Sequence, residues 1–118
     1  MAAELGGASK IAELLERLEK ALDCANDSQR EMLGKRRSWA SNARRELADA
    51  KTQAQFLGLC REIQKALRGG MGSFGDVYLY SGADCEFDEA ELNATFLSVI
   101  EEIFSATTQA IDRGSAPT

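Results

Sequence analysis

Apolar residues recur at helical spacing in four stretches of this chain, which predict four helices. From about Ala8, the positions Ile11, Leu14, Leu15, Leu18, Ala21 and Leu22 form the stripe of a helix buried on one side, and the polar Asn26-Asp27 ends it near Cys24. Ser28-x-x-Glu31 reads as a capping box that opens a second helix over 28–50, with Met32, Trp39, Ala43, Leu47 and Ala50 at helical spacing. Thr52-x-x-Gln55 opens a third in the same way. Its buried face is Phe56, Leu59, Cys60, Ile63 and Leu67, and Arg61, Lys65 and Arg68 place positive charge near its C-terminal end, where the helix dipole favours it. Asp88-x-x-Glu91 opens the fourth, over about 88–112. Its positions Leu92, Phe96, Val99, Ile100, Ile103, Phe104, Thr107 and Ile111 form two apolar edges, which predict contact with more than one neighbour.

The helical pattern stops between the third and fourth helices. Gly69-Gly70-Met71-Gly72-Ser73-Phe74-Gly75-Asp76 is followed by Val77-Tyr78-Leu79-Tyr80, the one β-prone run in the chain. The spacing predicts a helix stop at Gly69, a shaped loop and a short strand over 77–80. Ser81-Gly82-Ala83-Asp84 then reads as a turn, so the β element is either the single strand or a hairpin in which Cys85-Glu86-Phe87 returns as a second short strand. Gly69 and Gly72 are expected at positive φ, Asp76 is expected to accept hydrogen bonds from the loop's own N–H groups, Phe74 to plug the core and Met71 to stay more exposed. The expected fold is therefore mainly α, a four-helix arrangement with a short β element between helices three and four. It is expected to form a single domain over 1–118 with an ordered core at about 8–112. Short connections near 25–27 and 51 favour antiparallel neighbours. A lone strand has unpaired backbone groups on both edges, and pairing with a second copy is one way to satisfy them, so a homodimer stays open.

Gly70-x-Gly72-x-x-Gly75-x-Val77 matches the phosphate-covering loop of protein kinases, but only locally. A kinase needs a lysine on a strand after the loop and metal-binding acids beyond it, whereas the last lysine here is Lys65, ahead of the glycines. The dinucleotide and P-loop readings fail on order, since they want a strand, then glycines, then a helix. Here a helix runs into the glycines and a strand leaves them.

With 118 residues, 44% apolar and 28% charged, the composition is that of one ordinary globular domain. No run approaches a membrane span, and the N-terminus lacks the basic start and apolar stretch of a secretory signal. Cys24, Cys60 and Cys85 have no Cys-x-x-Cys spacing, which argues against a zinc site and a disulfide framework, and points to a reducing cytoplasm. There is no histidine to shuttle protons or hold metal, so no metal or cofactor is expected. The net charge of −5 is unevenly spread: residues 1–68 carry net +3 and residues 69–118 net −8. Either the two sets complement each other or are solvated, or the acidic half faces a basic partner.

The residues Ala66-Leu67-Arg68-Gly69-Gly70-Met71-Gly72-Ser73-Phe74-Gly75-Asp76 resemble a family of small, mostly bacterial proteins of unknown function that carry Gly-Gly-Met-Gly-Ser-x-x-Asp. Gly69 to Ser73 and Asp76 match, while Gly75 stands where an asparagine is common. Both residues tolerate positive φ, so the turn argument survives that departure. The resemblance covers about a third of the chain, implies a bacterial origin and brings no activity.

No pair of carboxylates, no serine beside a base and no ligand cluster stands at a spacing that builds an active site, so no catalytic residue is assigned. Glu101 and Glu102 are adjacent and point to different sides of a helix. The leading expectation is a small cytoplasmic helical protein that works by protein–protein contact, as an adaptor, regulator or immunity-like partner. The contact candidates are Gly69, Gly70, Met71, Gly72, Ser73, Phe74 and Asp76. A second class binds a small ligand or anion on the backbone N–H groups of the loop, although Asp76 and the acidity around it weigh against an anion. A third binds nucleic acid through Lys35-Arg36-Arg37 and Arg44-Arg45 of the second helix. It is disfavoured because aromatic residues are not interleaved with the basic ones.

Overall fold

A computed structural model describes residues 7–68, 78–83 and 85–115, and within them the chain forms five helices. These are α1 (Ala8–Asp23), α2 (Asp27–Met32), α3 (Gly34–Asp49), α4 (Gln53–Arg68) and α5 (Glu89–Ser115). The mainly α expectation holds. α1 packs against α3 and α5, and α4 against α5 and α3, so four long helices surround one core with α2 as a short lead-in. At 27 residues, α5 is the longest element, and its two apolar edges meet α1 and α4 as the pattern predicts.

Ion pairs give the relative direction of α1 and α3. Asp23 meets Arg37 while Glu19, one turn earlier, meets both Arg37 and Arg44, so the two helices run antiparallel. The core holds Ile11, Leu14, Leu15 and Leu18 from α1, Phe56, Cys60 and Ile63 from α4, and Leu92, Phe96 and Ile103 from α5. Gln64 ties α4 to α5 by donating to the hydroxyls of Thr107 and Thr108 at 3.0 and 2.7 Å.

The expected second helix is corrected in three respects. First, its cap is Asn26 rather than Ser28, because the Asn26 amide oxygen accepts from the Gln29 N–H at 3.0 Å. Second, the helix divides at Leu33 into α2 and α3. Hydrogen bonding runs through the break: Leu33 N donates to the Gln29 carbonyl, and the Leu33 carbonyl accepts from Arg37 N. Third, the buried stripe is Leu33, Ala40, Ala43 and Leu47, while Met32 is 65% exposed and Trp39 packs partly buried against the core. Two alanines on this stripe let α3 approach α1 closely, which a register through Met32 and Trp39 would prevent.

The capping boxes of the later helices form as expected at Thr52. Its hydroxyl accepts from Gln55 N at 3.1 Å, and the Gln55 side chain accepts from the N–H groups of Lys51 and Thr52. At Asp88 the carboxylate accepts from Glu91 N at 2.8 Å.

The expected strand and hairpin do not form among the described residues. Residues 78–80 carry no strand, and the one ladder contact of the segment is an antiparallel bridge between Ala25 and Ser81. Cys85-Glu86-Phe87 does not return as a strand. Cys85 N donates to the Gly82 carbonyl in a turn, and Ser81 Oγ donates to the Phe87 carbonyl. The reason is that the backbone of 78–80 finds most of its partners in the side chains of Gln29 and Asn93.

Candidate functional site

The segment Tyr78-Leu79-Tyr80 alternates out, in, out. Leu79 is fully buried, whereas Tyr78 and Tyr80 are 51% and 49% exposed. Two buried amides hold it from opposite sides. Asn93, on the core-facing part of α5, accepts from Leu79 N and donates to the Leu79 carbonyl, both at 2.8 Å. Gln29, on α2, donates to the Tyr78 carbonyl and accepts from Tyr80 N, both at 2.7 Å. Asn26 N completes the set by donating to the Tyr80 carbonyl at 2.8 Å. Every backbone group from the Tyr78 carbonyl to the Tyr80 carbonyl is therefore satisfied inside the chain, each amide doing the work of a neighbouring strand. Strand-to-strand pairing with a second copy would have to displace these bonds.

The held backbone sets the two tyrosine rings side by side. They stand edge to face with centroids 5.3 Å apart. The Tyr78 hydroxyl donates to Glu89 Oε2 at 3.0 Å. That bond, with some loss of hydration and the negative charge of the carboxylate, raises the Tyr78 pKa above tyrosine's usual 10. Met32, exposed one turn beyond Gln29 on α2, adds a further apolar side chain on the element that holds the segment.

Acidic residues crowd the start of α5. Glu86, Asp88, Glu89 and Glu91 are all exposed, and a hydrogen bond to the Asp88 carboxyl raises the pKa of Glu91. Among the described residues, every ion pair lies between residues 13 and 44, and none involves an acid of α5.

Of the basic residues Lys35-Arg36-Arg37 and Arg44-Arg45, Arg37 and Arg44 pair with acids of α1. The buried Glu19 accepts from Arg44 Nε at 2.6 Å and Nη2 at 3.2 Å, and from Arg37 Nη1 at 3.4 Å. Asp23 takes the rest of the Arg37 fork at 2.7 and 3.1 Å. Arg30 donates to the carbonyls of Asp23 and Ala25 and so caps the C-terminal end of α1, and Arg45 bonds Asn42. Arg30, Arg37 and Arg44 thus serve the fold.

The loop residues singled out from the sequence, Gly69, Gly70, Met71, Gly72, Ser73, Phe74 and Asp76, lie outside the described residues. The tyrosine pair that leaves that loop was expected only as strand, and Gln29 and Asn93 were not singled out at all. A usable signal does exist: both amides continue an apolar stripe, Gln29 ahead of Leu33 and Ala40, and Asn93 ahead of Ile100 and Phe104. Cys60 is buried and its thiol is pushed up to about 11 by desolvation, so it is inert at neutral pH. Cys24 and Cys85, distant in sequence, are brought together. Among the described residues no group of three or more acids and cysteines could hold a metal, and no helix is long and apolar enough to cross a membrane. No family model, curated protein or solved structure matches the chain.

Proposed function

We propose that the protein works by contact, as an adaptor, regulator or immunity-like partner in a reducing cytoplasm, without catalysis of its own. Its surface is the Tyr78–Tyr80 pair with the acids at the start of α5, and its partner is a protein with a basic face. The observation that carries this reading is the amide clamp. Two buried side chains hold an exposed aromatic pair in one conformation, so little ordering entropy remains to be lost on binding. Tyrosine suits such a surface because it offers large contact area with few rotatable bonds and a polar tip. The exposed Glu86, Asp88, Glu89 and Glu91 supply the charge that selects a basic partner and speeds encounter.

The test is site-specific photo-crosslinking in cells, with the photoreactive residue placed at 80 and, as a control, at the exposed position of Lys10 on α1. The reading expects a discrete adduct to a basic protein from position 80 only, weakened by salt. Equal labelling from both positions, or none from position 80, would remove this surface from consideration.

A further inference from the structure

Cys24 closes α1, and Cys85 follows about sixty residues later in the chain. The backbone folds one onto the other. Gly82 N donates to the Cys24 carbonyl at 2.8 Å, and Cys85 N donates back to the Gly82 carbonyl at 3.2 Å, so the turn doubles over the end of α1. The approach is close enough that a Cβ on Gly82 would meet the Ala25 carbonyl oxygen at 3.1 Å and that of Cys24 at 3.3 Å. Burial, and after it the neighbouring Cys85 thiol, pushes the Cys24 thiol up to about 11. Both thiols are free, half-buried and packed against the core. A cavity of about 610 Å³ between α1 and α5 opens onto Cys24, with Arg17, Lys20, Phe87 and Leu92 among its walls. A small oxidant can therefore reach Cys24 without unfolding the chain.

We propose that Cys24 and Cys85 form a thiol–disulfide site, oxidised by a low-molecular-weight disulfide of the glutathione class, whose closure fastens the turn after Tyr80 to the end of α1. One cysteine, as thiolate, attacks the small disulfide, forms a mixed disulfide and displaces a small thiolate. The second loses its proton to water and attacks the protein sulfur of that mixed disulfide, displacing the other small thiolate. Two protein S–H bonds and one small S–S bond are consumed, and one protein S–S bond and two small thiols result. Desolvation keeps Cys24 protonated at neutral pH, which slows its reaction with random electrophiles. Closure links two points distant in the chain, which restricts the unfolded ensemble most, and raises Tm by on the order of 10 °C.

The full-length reduced protein is equilibrated in glutathione buffers of increasing oxidation, quenched by alkylation and mapped by mass spectrometry. The expected result is a monomer that has lost two hydrogens, a cross-linked peptide joining Cys24 to Cys85, a higher Tm, and Cys60 alkylated only after denaturation. C24S and C85S should each retain one glutathione adduct on the remaining partner. If either variant misfolds, the wild-type map decides alone. Stable glutathione adducts on both cysteines, a bond to Cys60 or to a second chain, or free thiols persisting in a fully oxidised buffer would each overturn the proposal.

Discussion

Replacing Asn93 with leucine tests the clamp most sharply. The two side chains are close in size, so the change mainly deletes hydrogen-bonding capacity. Leu79 is fully buried, and its N–H and carbonyl each lose their partner at 2.8 Å. A buried backbone group left unpaired costs about 1–3 kcal/mol, so the two together cost about 2–6 kcal/mol, while the added apolar burial returns roughly 1 kcal/mol. A net loss of about 1–5 kcal/mol is expected, set against the 5–15 kcal/mol that roughly bounds the stability of such domains. Urea unfolding measures the loss, and hydrogen exchange at the Leu79 amide shows where it arises. If N93L unfolds within about 0.5 kcal/mol of wild type, the range of an ordinary surface substitution, and Leu79 keeps its protection, the amide does not hold the segment.

E19A should lower the urea midpoint clearly because it removes the partner of Arg44 and part of the Arg37 fork, which keeps Asp23, whereas E13A, which removes the exposed pair with Arg17, should leave it unchanged. Equal effects would mean that the buried carboxylate is unimportant. In a Y80F background, absorbance titration should place the Tyr78 midpoint above 10, and E89Q should bring it down. Since the folded pKa is raised, this bond's contribution to stability is complete below the unfolded value near 10 and is lost as pH rises through the folded value. A midpoint indifferent to E89Q would show that the bond does not persist in solution. G82V should cost on the order of 1–3 kcal/mol, because its branched side chain meets the carbonyls of Cys24 and Ala25, which as backbone cannot swing aside. A calorimetric Tm equal to that of wild type would contradict the close approach.

Much of the helical frame was legible because helix formation and burial share one period. α1, α4 and α5 were readable from their leucine, isoleucine and phenylalanine spacing, and Thr52 and Gln55 announced their cap. The second helix was misread where adjacent apolar residues, Met32 beside Leu33 and Trp39 beside Ala40, allow two registers one residue apart. Only the approach of α1 selects between them. The run Tyr78-Leu79-Tyr80 was read as a strand, which it does not form, but its period-two alternation does match the burial of Leu79 between two exposed rings. Its hydrogen-bonding partners were not legible. Amides such as Gln29 and Asn93 are ordinary on helix surfaces, and what makes these two different is a backbone segment about fifty and fourteen residues away. The meeting of Cys24 and Cys85 was hidden for the same reason, because spacing rules for cysteines describe local motifs.

The most direct measurement is the salt-dependent binding of the photo-crosslinked partner to wild type and to the Y78A/Y80A double variant. Hydrogen exchange at Leu79 serves to show that the clamp is intact in both. The account predicts that the variant keeps its protection and loses at least roughly tenfold in affinity, as removal of two hot-spot aromatics should. Unchanged affinity with the clamp intact would contradict it.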